Sequence, residues 1–366
     1  MTQAAALAAY GSSSPSNRNR IINGDMRIDQ RNAGAAVTLN TWNGQFPVDR
    51  FRGNVRPSIG TISAQQSTVV PSGQDFSNSL KLTQASVTTQ AANDVYSFLH
   101  VIEGYNAQSF QFGTSGAKEL VLSFWVRSSV TGTYCVSFYN SSLNRSLVKE
   151  YTISVADTWQ KINISFSADS TGTWLINNSV GLYVSWDLGS GTDYQTTPNS
   201  WASGEHRSSA NQVRWIDTNG ATFYITGVQL EAGSVATPFE HVDYSEMLRR
   251  CQRYFQKSYA QETVEGSSTS VGVRTAYAFD TGSLQRSFVI NANFLVTMRA
   301  QPTMAYWDST GTSGVIARYD ASSSKLTVTA SSSSRSDSVL GGYLTTSPNA
   351  TSGAVYQFHY TASAEL

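Results

Sequence analysis

The chain has 366 residues, with Lys plus Arg and Asp plus Glu both at 25, so its net charge is zero; charged residues make up only 14%, against roughly 25% in ordinary soluble domains. Such a balance supplies no global attraction to nucleic acid or to an anionic membrane, and neither is expected as a partner. The length allows two or three domains with substantial cores and by itself selects no function.

Residues 1–20 are small and polar, and GSSSPSNRNR breaks any helix that Ala4–Ala9 could start, so this stretch is expected to order only against a partner. MTQAAALAAY has no basic n-region and no long apolar core, so it reads as neither signal peptide nor membrane span, which suits synthesis in a cytoplasm. Residues 21–30 combine alternating apolar positions with the turn Asn23-Gly24-Asp25 and predict a short hairpin or a strand packed on a neighbour.

Between about 46 and 240 come short strands at sandwich-like spacing. In 119–127, Leu120, Leu122, Phe124 and Val126 alternate with Val121, Ser123, Trp125 and Arg127, and Ile162, Ile164 and Phe166 alternate with Asn163 and Ser165. No intervening segment has helical period and useful length, so an antiparallel β-sandwich is expected rather than an α/β sheet. The last strand carries Phe223, Ile225, Val228 and Leu230, with Gly227 interrupting the alternation where a bulge fits. Gly233 and Pro238 then stop it.

Asp243 followed by Glu246 has the spacing of a capping box, and Tyr244, Met247, Leu248, Cys251, Tyr254 and Phe255 share one helical face. The other face carries Arg249, Arg250, Arg253 and Lys257, so a helix of about four turns is predicted over 244–257. It must bury its apolar stripe, either within the chain or against copies of itself. After it, 271–280, 287–298, 303–307, 325–329 and 354–360 form a second strand-rich set, with serine tracts at 322–324 and 331–334 as loops. Cys135 and Cys251 read as small buried hydrophobes.

Chemistry is sparse. His100, His206, His241 and His359 lie far apart, have no zinc-motif spacing and read as surface or turn residues. Phosphate loops, EF-hand spacing and a G-x-S-x-G elbow are missing, and no cofactor is expected. Asp187, Asp193, Glu205 and Asp217 could in principle form a hydrolytic pair, but solvated loop acids are the commoner case. The aromatic signal is stronger. Trp186, Tyr194, Trp201 and Trp215, with Asp193 and Arg207 among them, occupy a turn-rich stretch, and sugar rings stack their C–H faces on exposed aromatics while short polar groups bond their hydroxyls. The competing reading makes these rings plugs at the end of a sandwich. Trp42 and Trp159 read as structural.

The segment from GVQLEAGSVATPFEH to LRRCQRYFQKSY resembles one that recurs in bacteriophage tail-fibre and related virion proteins, where it closes a carbohydrate-binding-module-like jelly roll. KELVLSFWVRSSVTGTYCVSFYN, YTISVADTWQKINISFSADSTGTW and GLYVSWDLGSG resemble successive strands of that module, and INGDMRIDQRNAG is similar to an opening motif of such proteins. The likeness covers about two thirds of the chain and fades after Gln261. It implies an all-β protein: a virion-attachment segment at 1–45, a jelly-roll β-sandwich at 46–240, a linking helix at 241–260 and a β-rich head at 261–366. It further implies a homotrimer on the virion, held to other tail or virion proteins through the N-terminus and bound to host-surface glycan without catalysis. The alternatives are a purely structural appendage or capsid-decorating protein and, further off, a glycan depolymerase, for which the short fixed-period repeat of a parallel β-helix is missing. Jelly rolls of this kind often carry a structural calcium ion, but no acidic cluster identifies its ligands.

Overall fold

A computed structural model describes residues 17–39, 45–56, 60–86, 91–279, 287–320, 324–331, 336–342, 344–347 and 350–366. The first sixteen residues, Trp42 and most of the two serine tracts lie outside the described residues. Period-two patterning builds the strands β1 (Val37–Leu39), β2 (Phe51–Arg56), β3 (Thr61–Ser67), β4 (Ser79–Ser86), β5 (Val95–Glu103), β6 (Glu119–Ser128), β7 (Gly132–Tyr139), β8 (Arg145–Ile153), β9 (Gln160–Ser167), β10 (Val180–Asp187), β11 (Trp201–Ser203) and β12 (Thr222–Ala232). Among the described residues these pair as two six-stranded sheets, β1-β3-β4-β12-β6-β9 and β11-β8-β7-β10-β5-β2, with antiparallel neighbours throughout. The result is a jelly-roll β-sandwich.

Its core forms where the inward phases of the two sheets meet. Leu120, Leu122, Phe124 and Val126 of β6 face Tyr134, Val136 and Phe138 of β7 and Leu182, Val184 and Trp186 of β10, all buried. Each such side chain contributes about 1.5–3 kcal/mol by leaving water. The expected bulge is present: the β6–β12 register shifts between Thr226 and Gln229, and Gly227 adopts φ 62, which costs a glycine nothing.

Residues assigned to the attachment segment join this body from Asn17 onward. Ile21, Met26 and Leu39 belong to the sandwich core, and Asn19 bonds Val228 O and Leu230 N. Asn23, at φ 62, holds the turn together through Ile28 and the Asp49 carbonyl.

A helix α1 (Tyr244–Gln252) follows Asp243 and is shorter than the sequence predicts. Asp243 stands at its N-cap without a side-chain capping bond, and Glu246 pairs instead with Arg250 at 3.2 Å. The chain leaves the helix because 255–257 finds a better partner: β13 (Phe255–Lys257) pairs with the long strand β21 (Val355–Ser363), which satisfies its backbone and buries Phe255. Lys257, assigned by the sequence to the charged face of that helix, is buried and donates to the carbonyls of Gln30, Gln261 and Thr263. Burial pulls its pKa down to about 8 against the opposing pull of Asp49 and other acids. The apolar stripe docks within the chain: Met247, Cys251 and Tyr254 pack on Ile22 and Ile28, with Leu248 and Leu366 alongside. Tyr244 escapes it and is 48% exposed.

Among the described residues, strands β14 (Arg274–Phe279), β15 (Ser287–Asn293), β16 (Thr303–Trp307), β17 (Val315–Arg318), β18 (Lys325–Ser331), β19 (Val339–Gly342) and β20 (Leu344–Ser347) complete a nine-stranded sheet around β21. It has its own core around Ile316, Leu326, Tyr356 and Phe358. The joint with the sandwich is charged and buried. Glu103 accepts from Arg253 Nε and Nη2, at 3.0 and 2.6 Å, and from the Tyr254 hydroxyl at 2.7 Å, while Arg50 and Arg31 pair with Glu365.

Candidate functional site

The structure separates the six residues that the sequence groups as a glycan site. Trp186 lies in the core, stacked on Phe98 at 5.4 Å and 6° and edge-on to Phe124. Trp215 is also fully buried and donates from Nε1 to Thr222 O at 3.3 Å. Neither indole can meet a sugar. The strand phase explains the first case: Leu182, Val184 and Trp186 share the inward side of β10, which leaves Tyr183, Ser185 and Asp187 to point out. Trp201 is carried on the edge strand β11, donates to Ser167 O at 2.9 Å and meets Trp174 and Phe112 edge-on. Those two rings line an apolar hollow of about 330 Å³ with Ile176, Gln108 and Gln111.

Tyr194, Arg207 and Asp193 do come together, on the outer face of the second sheet. Asp193 and Tyr194 form a 3-10 turn, Thr192–Tyr194, in the connection that crosses this face. Arg207 is buried, donates to the Tyr139 hydroxyl at 2.8 Å, pairs with Glu205, and sits over the rings of Tyr139 (4.9 Å) and Tyr194 (5.8 Å). Burial works against its charge, but Tyr139 and Glu205 more than offset this and raise its pKa. Tyr183 stacks on Tyr139 at 4.8 Å and 22° and hydrogen-bonds Arg52; burial raises its pKa while Arg52 opposes the rise. Arg56 donates to the Tyr194 hydroxyl at 3.2 Å. Tyr183, Tyr194, Arg52 and Arg56 are each half-buried and form the accessible rim.

Beneath that rim the sheet is largely polar, with Leu99 and Val148 among its residues. Strand registry aligns Asn54, Ser97, Asp187, Cys135 and Glu150 in one row, and Arg52, Leu99, Ser185, Ser137 and Val148 in the next. Ser137 and Ser185 face one another across β7 and β10, and their buried hydroxyls, like the buried amide nitrogen of Asn54, find no protein partner. Buried polar groups of this kind are normally completed by a bond. Burial pushes the Cys135 thiol up to about 12, so it is an inert small side chain. Tyr183, Arg52 and Arg56 were not singled out from the sequence, although the alternation in β10 and β2 places them outward.

The acids divide up locally. Asp187 caps its own turn through Gly189 N, Ser190 N and Ser190 Oγ, Glu205 is held by Arg207, and Asp217 by Arg214 at 2.7 Å. Two histidines are core residues rather than surface ones: His100 accepts the Ile22 N–H at 3.1 Å, and His359 stacks on Tyr259 at 3.8 Å and contacts Ser258 Oγ. Among the described residues no three His, Cys, Asp or Glu side chains converge. Nor is any described helix long and apolar enough to cross a membrane.

No protein-family model matches the chain, and the search of curated proteins returns no match. Solved structures do resemble it. The enzymatically active domain of tailspike protein 4 of bacteriophage CBA120 aligns with 14% identity and a TM-score of 0.30, over 60% of this chain and 22% of that one. A family 11 carbohydrate-binding module from Clostridium thermocellum aligns with 12% identity and a TM-score of 0.28, over 55% of this chain and 98% of that one. A family 4 carbohydrate-binding module aligns with 14% identity and a TM-score of 0.29, over 58% of this chain and 99% of that one.

Proposed function

We propose that this chain is a non-enzymatic bacteriophage virion protein, a tail fibre or similar external appendage, which attaches to host-surface glycan through the outer face of its second sheet. The observation that carries the binding half is the rim of Tyr183, Tyr194, Arg52 and Arg56 over a polar floor that includes the unpartnered hydroxyls of Ser137 and Ser185. Half-exposed tyrosines offer planes for pyranose C–H faces, and guanidinium, hydroxyl and amide groups bond the ring hydroxyls. The virion half is supported by the sequence resemblance at 223–259. Three copies on a fibre, attached to other virion proteins through their N-terminal segments, would multiply weak single-site affinity by about 10² or more where the geometry allows simultaneous engagement.

A structural spacer is the second reading, favoured by the fact that Arg56, Arg207 and Arg52 are already bonded to the tyrosines of this face. Host polysaccharides printed as an array decide between them. The attachment reading expects the full chain to bind at least one surface glycan and to release no new reducing ends from it, and a chain that binds none is a spacer. Light scattering that returns a monomer mass at micromolar concentration would remove the trimer.

A further inference from the structure

The outer face of the first sheet carries a separate aromatic concavity. Trp125 points away from the core on β6, with Lys161 of β9 and Thr226 of β12 as its cross-strand neighbours. At the β12 bulge Gly227 leaves room for Phe76: a Cβ there would lie 2.6 Å from Phe76 Cζ. Phe76 in turn meets Phe239 at 5.2 Å and His241 at 5.7 Å, and those two are 5.0 Å apart, so the loops before β4 and after β12 are clamped into one wall. Floor and wall enclose about 440 Å³, with Gln74, Asp75, Lys161 and Thr237 also on the lining. That volume lies within the roughly 300–1,000 Å³ of small-molecule sites.

We infer that this concavity is a binding site for one neutral hexopyranose unit of a glycan. A pyranose needs an aromatic plane for its C–H face and both donors and acceptors for its hydroxyls. Trp125 is half-buried with the cavity beside it and supplies the plane. Exposed Asp75 accepts, exposed Lys161 donates, and exposed Gln74 does both. Asp75 and Lys161 cancel in charge, which favours a neutral sugar over an acidic one. The site lies on the opposite side of the sandwich from Tyr183 and Tyr194 and does not depend on that face binding anything.

The test is a titration of the ¹⁵N-labelled full chain with the methyl glycosides of glucose, galactose and mannose and with N-acetylglucosamine. The Trp125 indole N–H resonance is followed and is identified by its loss in Trp125→Phe. At least one sugar is expected to shift it saturably with a Kd of about 1 mM, the range of a single weak site. Lys161→Met and Gln74→Ala, both at exposed positions, are expected to weaken that binding about 2- to 10-fold each, as loss of one hydrogen bond does, with thermal melting unchanged. No saturable shift with any of the four sugars overturns the inference, as does an affinity unaltered in both variants. The titration is expected to survive Tyr183→Ala/Tyr194→Ala intact, and its loss there would overturn the claim of a separate site.

Discussion

Glu365→Ala removes the carboxylate that holds the end of the chain on the sandwich. The Arg50 side chain is 1% exposed and bonds Glu365 through Nη1, and Glu365 itself is only 9% exposed. Burial works against the Arg50 charge, but Glu365 and its neighbours more than offset this and keep the guanidinium protonated. Without Glu365 it stays buried with Val101 O at 2.6 Å and the Tyr254 ring at 3.5 Å as its remaining partners. Removing one member of a buried pair costs about 3–5 kcal/mol. Because a cation–π contact of about 1–2 kcal/mol persists, the lower part of that range, about 3 kcal/mol, is the expected loss. Arg31 loses less, since it keeps Asp49 at 3.2 Å and the Phe255 ring at 3.7 Å. Urea denaturation of the parent, Glu365→Ala, Arg50→Met and the double variant forms a cycle, and a coupling of about 1–3 kcal/mol is expected. Faster exchange of the Ala364 N–H, bonded to Tyr254 O at 2.8 Å, would report the same loosening locally. A Glu365→Ala protein within about 0.5 kcal/mol of the parent, the range of neutral surface changes, would refute the reasoning.

Trp186→Ala should cost about 3–5 kcal/mol in urea denaturation as a core deletion, with glycan binding by the folded fraction unchanged; lost binding at parental stability would restore Trp186 to the site. Burial, reinforced by Arg50, holds the His100 pKa well below the usual histidine range. The unfolded chain therefore takes up a proton below about pH 6.5 that the native state refuses, and stability falls with pH there by up to about 1.4 kcal/mol per unit. His359, lowered by burial, adds in the same direction. Urea midpoints at several pH values should show a flatter slope in His100→Gln than in the parent; equal slopes would contradict the assignment. Gly227→Ala meets both an unfavourable φ and the Phe76 ring and should destabilise by about 1–3 kcal/mol, read as a lower melting temperature; an unchanged melting temperature would mean the bulge relaxes freely.

Local pattern carried much of this architecture. Alternation located β6, β9 and β12, and Gly227 marked the bulge, because both are properties of a few neighbouring residues. Leu182, Val184 and Trp186 alternate in the same way, and that phase puts Trp186 in the core rather than with the loop aromatics. Trp215 had no such marker: it ends an irregular connection in a 3-10 turn, and only the assembled core hides it. The helix end was equally hidden, since nothing near Arg253 stops a helix. Its terminator is β21, about a hundred residues downstream, which pairs with 255–257. Glu103 meets Arg253 and Arg50 meets Glu365 across still longer separations, so neither pairing left a spacing to read.

Binding of the full chain to host cells and to its best array glycan, compared with Tyr183→Ala/Tyr194→Ala, tests the attachment face most directly. Two lost aromatic contacts of about 0.5–1.5 kcal/mol each predict roughly a fivefold or greater drop in affinity, measured on the folded protein. Undiminished binding by the double variant would contradict the account.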